Sequence, residues 1–150
     1  MDIGTKVETR SVIALQSGGY ALAGVSYSPS EKYRAVLVKT DKNGKKEWNL
    51  TLVKTEGELF TVVIENDTAG NIILAATHKF NSYKGEQEIY VAKITPEGKI
   101  LWEKFVGGAG SRQVGGIVVT ADNQILITGY VDNLTPEHKP MIYCIKVKND

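Results

Sequence analysis

Residues 88–107, EIYVAKITPEGKILWEKFVG, constrain this chain more than any other stretch, because they spell a hairpin that recurs at a fixed spacing. An apolar strand runs from Ile89 to Ile94, the turn Thr95-Pro96-Glu97-Gly98 reverses it, and a second strand carries Trp102 and Phe105. The same pattern stands upstream at residues 35–52, and a third copy begins at Met141 without a turn after it. Three unrelated markers give one period. Gly24, Ala76 and Gly129 are 52 and 53 residues apart, Trp48 and Trp102 are 54 apart, and Lys39, Lys93 and Lys146 are 54 and 53 apart. A repeat this regular must be accommodated before any other feature of the fold.

Each period holds four expected strands. Repeat one places them at 11–16, 20–27, 35–40 and 46–52; repeat two at 61–65, 72–79, 89–94 and 99–106; repeat three at 116–120, 125–131 and 141–148, with no fourth. β-Branched and aromatic residues fill these runs, and Gly, Asn, Asp and Pro separate them. No segment keeps a helical period of apolar residues. The connections at 17–19, 41–44, 95–98 and 122–124 are tight, and the one at 66–71 reads as slightly longer. Gly44 and Gly98 close two of them, supplying the positive φ that such turns need. The connections at 28–34, 80–87 and 132–140, and those between repeats at 53–60 and 107–115, are longer and differ from one another.

Four antiparallel strands in about 50 residues is the signature of a β-propeller blade. The expected fold class is therefore all-β: a β-propeller domain over residues 1–150 with blades near 8–56, 57–110 and 111–150, the third lacking its outer strand. Tight turns then share one face and long loops the other. A stacked β-solenoid would instead use shorter repeats, parallel strands and no tight hairpins.

The run Tyr90-Val91-Ala92-Lys93-Ile94, followed by Gly98, Trp102 and Gly107-Gly108, and a strand like Ile125-Leu126-Ile127-Thr128-Gly129-Tyr130 resemble the bacterial and archaeal β-propeller repeat proteins. Those carry tandem blades of the form YVTGY…FVAKLD..G…W….GG. The resemblance spans nearly the whole chain. Repeat two departs at Ala75-Ala76, where the family has a small residue and then glycine, and repeat three has no tryptophan strand. What the resemblance implies is a propeller used as a platform for unrelated partners, outside the cell or at its surface; a fold of this kind does not by itself give an activity.

Three blades do not close a ring, since closed propellers use typically about four to eight. Each end of an open arc leaves one blade face wet. If that face is on the order of 500 Å², exposure forgoes about 12 kcal/mol at ~25 cal/mol per Å², more than the net stability of many domains. Two copies placed head to tail make six blades and bury both ends, so a homodimeric six-bladed ring is expected. Residues 1–7 are then a short candidate for the outer strand of the neighbour's third blade. The competing expectation is a segment of a larger protein whose other blades complete the ring.

Net charge is +1, from 18 basic and 17 acidic residues, which gives no electrostatic reason for a nucleic-acid or membrane partner. No apolar run approaches the roughly 20 residues that span a bilayer as a helix, and no basic-then-apolar leader pattern opens the chain. One cysteine, Cys144, excludes a disulfide framework within the chain. It aligns with Leu37 and Val91, so it is expected as a buried small hydrophobe rather than a nucleophile.

The long-loop face gathers the candidate ligand-binding residues: Tyr27, Tyr33, Arg34, His78, Tyr83, Arg112 and His138. Aromatic, basic and amide side chains around a central funnel suit a glycan, a peptide or a protein. His78 and His138 fall on adjacent blades and could share a metal with Asp132 or Glu137, but no ligand motif and no third histidine accompany them. They are read as solvated loop residues, and no metal or cofactor is expected. Gly107-Gly108-Ala109-Gly110-Ser111-Arg112 lacks the lysine and helix of a phosphate loop, and reads as a connection between blades. Asp41-Lys42-Asn43-Gly44 opens like a calcium loop, but Lys45 and Lys46 stand where later ligands belong, so it reads as a turn. Lys39, Lys93 and Lys146 are expected to lay their stems along apolar surface and pair at the blade edge. Acceptor tripeptides for glycosylation begin at Asn49, Asn66 and Asn133.

Three functions follow from different classes. The first is a non-enzymatic binding or scaffolding propeller, self-associating and presenting its long-loop face. The second is a repeat segment with no ligand of its own. The third is a quinoprotein-like or lyase-like enzyme, which needs a convergent cluster of titratable groups near the axis. Two histidines and scattered carboxylates are poor material for such a cluster, so no catalytic residue is named.

Overall fold

The computed structural model describes residues 6–52, 57–81, 86–108, 110–132 and 139–150. Strands β1 (Lys6–Ala14), β2 (Tyr20–Ser28), β3 (Lys32–Thr40) and β4 (Lys46–Leu52) form one sheet in chain order. Strands β5 (Glu58–Asn66), β6 (Ile72–Asn81), β7 (Glu86–Ile94) and β8 (Ile100–Val106) form the second. The third holds β9 (Ser111–Val119), β10 (Ile125–Asp132) and β11 (Met141–Val147). Every neighbouring pair is antiparallel. The chain is thus all-β, with one antiparallel sheet per repeat.

Among the described residues one turn is used five times, at 15–19, 41–45, 67–71, 95–99 and 120–124. In each, the first residue's N–H donates to the fifth carbonyl and the fourth residue's N–H donates back to the first carbonyl, at 2.8–3.1 Å. The fourth residue must take positive φ; it is Gly18, Gly44, Gly70, Gly98 and, in the last turn, Asn123 at 58°. This is a type I turn closed by a residue in the left-handed region, a common three-residue hairpin connection. Side chains at the first position reinforce it: Asp41 Oδ1 accepts the Asn43 and Lys45 N–H groups, and Asp67 Oδ1 those of Ala69 and Asn71. The connection read as longer in repeat two has the same five residues as the others, because Asp67 plays the part that Leu15 and Thr120 play elsewhere.

Strand alternation assigns the core. In the second sheet, Ile72, Leu74, Ala76, Tyr90, Ala92 and Ile94 face the first sheet, while Ile73, Ala75, Ile89 and Val91 face the third. All ten are fully buried, so both faces of this sheet are covered. Burying each large aliphatic side chain is worth about 1.5–3 kcal/mol. The first sheet contributes Ala21, Ala23, Val25, Ala35 and Leu37 to the first layer, and the third contributes Val114, Ile125, Ile127 and Val147 to the second. Each later sheet meets the preceding one through its own first strand. β5 packs against β1, β2 and β3, and β9 against β5, β6 and β7, while β4 and β8 stand away from neighbouring backbone.

Each first strand also carries a bulge, with Arg10, Thr61 or Gly115 as the extra residue. An inserted residue reverses the alternation of side chains. Apolar patterning therefore stops at the bulge, which is why the strands expected from 11, 61 and 116 in fact begin at Lys6, Glu58 and Ser111. Lys6 and Val7 pair with Tyr27 and Ser26 inside the first sheet. Residues 1–5 lie outside the described residues. Opposite the bulges, a Cβ on Gly24 would stand 2.2 Å from the Glu8 carbonyl oxygen, and one on Gly129 1.9 Å from that of Gln113. Glycine at these two positions lets the bulged backbone approach.

Cys144 is exposed, not buried. Its counterparts Leu37 and Val91 are covered because another sheet packs over them, whereas Cys144 lies on the face of the third sheet opposite its packed side.

Candidate functional site

The residues expected on the long-loop face are largely strand residues. β3 starts at Lys32, placing Tyr33 and Arg34 inside it, and β9 starts at Ser111, placing Arg112 inside it. Tyr27 and Tyr33 are cross-strand partners whose ring centroids lie 4.9 Å apart. Arg34 Nη1 donates to the Gly57 carbonyl at 2.8 Å and bridges the first sheet to the start of the second. Arg112 lies against Gly108, with its guanidinium 3.0 Å from where a Cβ on that glycine would stand. Tyr83 and His138 lie outside the described residues, as do Glu137 and Asn133.

His78 corrects the expectation of a solvated loop residue. It belongs to β6 and is 6% exposed. Its Nδ1 lies 3.1 Å from Glu88 Oε1, and its ring stands 5.9 Å from that of Phe80 and 4.9 Å from that of Phe105. Nearby, the Tyr90 hydroxyl donates to Glu103, and burial together with that carboxylate pushes the phenol's pKa upward. The period-two pattern explains the placement: His78 continues the face of Ile72, Leu74 and Ala76 toward the first sheet. Among the described residues, no group of three or more His, Cys, Asp and Glu side chains is placed to hold a metal ion.

A cleft of about 340 Å³ opens between the first and second sheets at the long-connection end. Glu8, Arg10 and Tyr33 line one wall; Glu58, Phe60, Thr61 and Lys79 line the other. The two bulge residues, Arg10 and Thr61, both stand in it, so the cleft sits where the first strands depart from regular pairing. Glu8 bonds Lys6 Nζ at 2.8 Å and Arg10 Nη2 at 2.5 Å. The Lys6 hydrogen bond and charge, with help from Arg10, hold the Glu8 carboxyl below its ordinary range, and the Glu8 contact raises Lys6 in turn. The wall therefore carries exposed donors and acceptors beside the exposed ring of Tyr33. Apart from Tyr33, these lining residues were not singled out by sequence, because charges on a strand edge read as ordinary solvated positions. The interrupted alternation at the bulges was the available signal.

The tight-turn end is fastened by polar contacts. Buried Asp67 takes Lys93 Nζ at 2.9 Å, and Asn149 Nδ2 bridges from Asp67 Oδ2 at 3.4 Å to Asn123 Oδ1 at 3.0 Å. Lys39 pairs with Glu47 at 2.8 Å and Lys146 approaches Asp122 at 3.8 Å, so the lysine column does pair at the sheet edges. Asn66, in an acceptor tripeptide, commits its amide to the Ala14 carbonyl at 2.8 Å. No family model matches this chain, and comparison with curated proteins gives no match.

Proposed function

We propose that the three sheets are blades of a β-propeller and that the chain is a non-enzymatic binding module whose ligand site is the cleft between the first two blades. The open faces at the ends of the arc are where a closed ring continues. The observation that carries the fold reading is that β5 and β9 each pack across the preceding sheet while β4 and β8 stand apart, as blades radiate from an axis. For the ligand, the cleft pairs an exposed aromatic ring with alternating carboxylates and cations, Glu8, Arg10, Glu58 and Lys79. Sugars present hydroxyl groups that such donors and acceptors can bond, and C–H faces that stack on an aromatic ring. An oligosaccharide is therefore the best fit.

A printed glycan array, followed by NMR titration of an isotope-labelled sample with any hit, tests this. The expected result is binding with shift changes centred on Arg10, Tyr33 and Phe60, lost in Tyr33→Ala. Binding that maps elsewhere, or none across the array, overturns the assignment. Binding of peptides alone moves the site to the scaffolding class.

A further inference from the structure

We infer that a second copy of this chain covers both open faces, docking head to tail to close a ring of six sheets; this rests on the propeller reading above and names its partner. The two open faces are repeat-equivalents of faces that are already packed together inside the chain. On the third sheet, Leu126, Tyr130, Ile142 and Cys144 occupy the positions of Ala21, Val25, Ala35 and Leu37, which receive the second sheet. Ile142 is 90% exposed and Val118 beside Leu126 is 55% exposed. On the first sheet, Val12, Leu22 and Val38 occupy the positions of Ile64, Leu74 and Ala92, which dock onto the preceding sheet. Val12 is 60% exposed. One chain thus presents both halves of its own internal interface, which is the condition for a heterologous contact.

The departures from the repeat at the two ends compensate each other. Between the second and third sheets, Thr77 and Tyr143 both flank the backbone at Gln113–Val114: Thr77 Oγ1 accepts the Val114 N–H at 3.1 Å, and the Tyr143 hydroxyl donates to the Gln113 carbonyl at 3.2 Å. At the open ends, the position of Thr77 is the larger Tyr130 and the position of Tyr143 is the smaller Val36. A groove of about 320 Å³ lies on the first sheet over Leu22, Gly24, Val36 and Val38. The ring of Tyr130 from one copy enters this groove in the other. Two copies give six blades, inside the usual range of about four to eight, whereas three give nine.

Light scattering tests the inference with surface substitutions that a single chain tolerates. Wild type is expected at twice the 16.4 kDa chain mass at micromolar concentration. Val12→Lys and Ile142→Lys each break one end and are expected as monomers. Their equimolar mixture retains one intact interface and is expected to regain dimer. Tyr130→Ala is expected to weaken dimerisation at least tenfold. Cys144 reports burial independently, with a thiol reagent labelling the lysine variants at least tenfold faster than wild type. A monomeric wild type, a mass above the dimer, dissociation by neither or only one of the lysine substitutions, or a mixture that stays monomeric overturns the head-to-tail ring. Oligosaccharide binding to the monomeric variants reports on the cleft separately, because both its walls belong to one chain.

Discussion

The indole N–H of Trp48 donates to the carbonyl of Pro96 at 3.1 Å, and so ties the outer strand of the first sheet to the outer turn of the second. Gly98 in that turn lies under the same ring, 3.4 Å from where a Cβ would stand to the nearest ring carbons. Trp102 is the repeat-equivalent of Trp48, yet among the described residues its buried Nε1 has no acceptor. The Lys104 ammonium instead lies 4.5 Å over the Trp102 ring and donates to the carbonyls of Lys148 and Asp150.

The two tryptophans should therefore respond differently to the same substitution. Trp48→Phe removes a made hydrogen bond and leaves the Pro96 carbonyl short of a partner, costing about 1–2 kcal/mol beyond the change in packing. Trp102→Phe removes an indole N–H that has no partner among the described residues, so its polar contribution is about zero or favourable. Urea denaturation of both variants measures the contrast. Equal losses would mean that the indole bond contributes nothing.

Asp67 links stability to acid. Burial pushes its carboxyl upward, but the Lys93 ammonium, the Asn71 side-chain amide and the Asn71 N–H outweigh burial and hold it below its ordinary value of 3.8. The folded carboxyl is thus the stronger acid. Its stabilisation is complete above the unfolded value and is lost as pH falls from about 4 toward the folded value. Asp67→Asn should lower stability at pH 7 and flatten the decline below about pH 5. Midpoints of urea unfolding from neutral to acid pH, compared between the two proteins, check both effects. Parallel curves would remove Asp67 from the acid response.

Asn123 is where copying the repeat gives the wrong substitution. Glycine holds its place in the other four turns, and Asn123 takes φ 58°. Asn123→Gly relieves a left-handed conformation that asparagine already tolerates. It also removes the acceptor of Asn149 Nδ2 at 3.0 Å and of the Thr68 N–H at 3.3 Å. Leaving the buried Asn149 amide short of a partner outweighs the backbone gain, for a net loss of about 1 kcal/mol. A rise in the midpoint of thermal unfolding would show that the turn, not the bridge, dominates here.

Period and turn chemistry made the sheets legible: a recurrent Gly or Asn every half-repeat, flanked by β-branched runs, fixes hairpins and hence strand order. Two kinds of information were not local enough to read. Ser11, Thr61 and Gly116 look like strand beginnings because bulges at Arg10, Thr61 and Gly115 reverse the alternation there, and the polar residues before them still pair through their backbones. The bulges at Arg10 and Thr61 line the cleft, so most of the candidate site was hidden with them. Burial at Cys144 depends on a neighbouring sheet and not on its own strand, which the repeat pattern of Leu37 and Val91 does not encode. His78 illustrates the reverse case: a polar residue inside an apolar alternation is buried because Glu88 and two phenylalanine rings receive it.

The second repeat carries alanine where the first and third carry glycine, and its bulge bears the consequence. Ala76 pairs with Val62, directly after the bulge residue Thr61, and Thr61 takes φ 50°, a conformation disfavoured for a β-branched side chain. Arg10, the bulge residue opposite Gly24, is not among the positive-φ residues. We attribute the difference to the Ala76 Cβ, which fills the space that glycine leaves for the bulged backbone. Thr61→Gly should then stabilise by about 1 kcal/mol through relief of the left-handed strain. Gly24→Ala, by contrast, forces a Cβ against the Glu8 carbonyl and should cost about 2–3 kcal/mol. If Ala76 is the cause, Ala76→Gly lets Thr61 relax, and a second change to Thr61→Gly then gains less than it does alone. The two substitutions should fall short of additivity by about 1 kcal/mol. Denaturation of the wild type, the two single variants and the double variant closes the cycle, and strict additivity would detach the strain at Thr61 from Ala76.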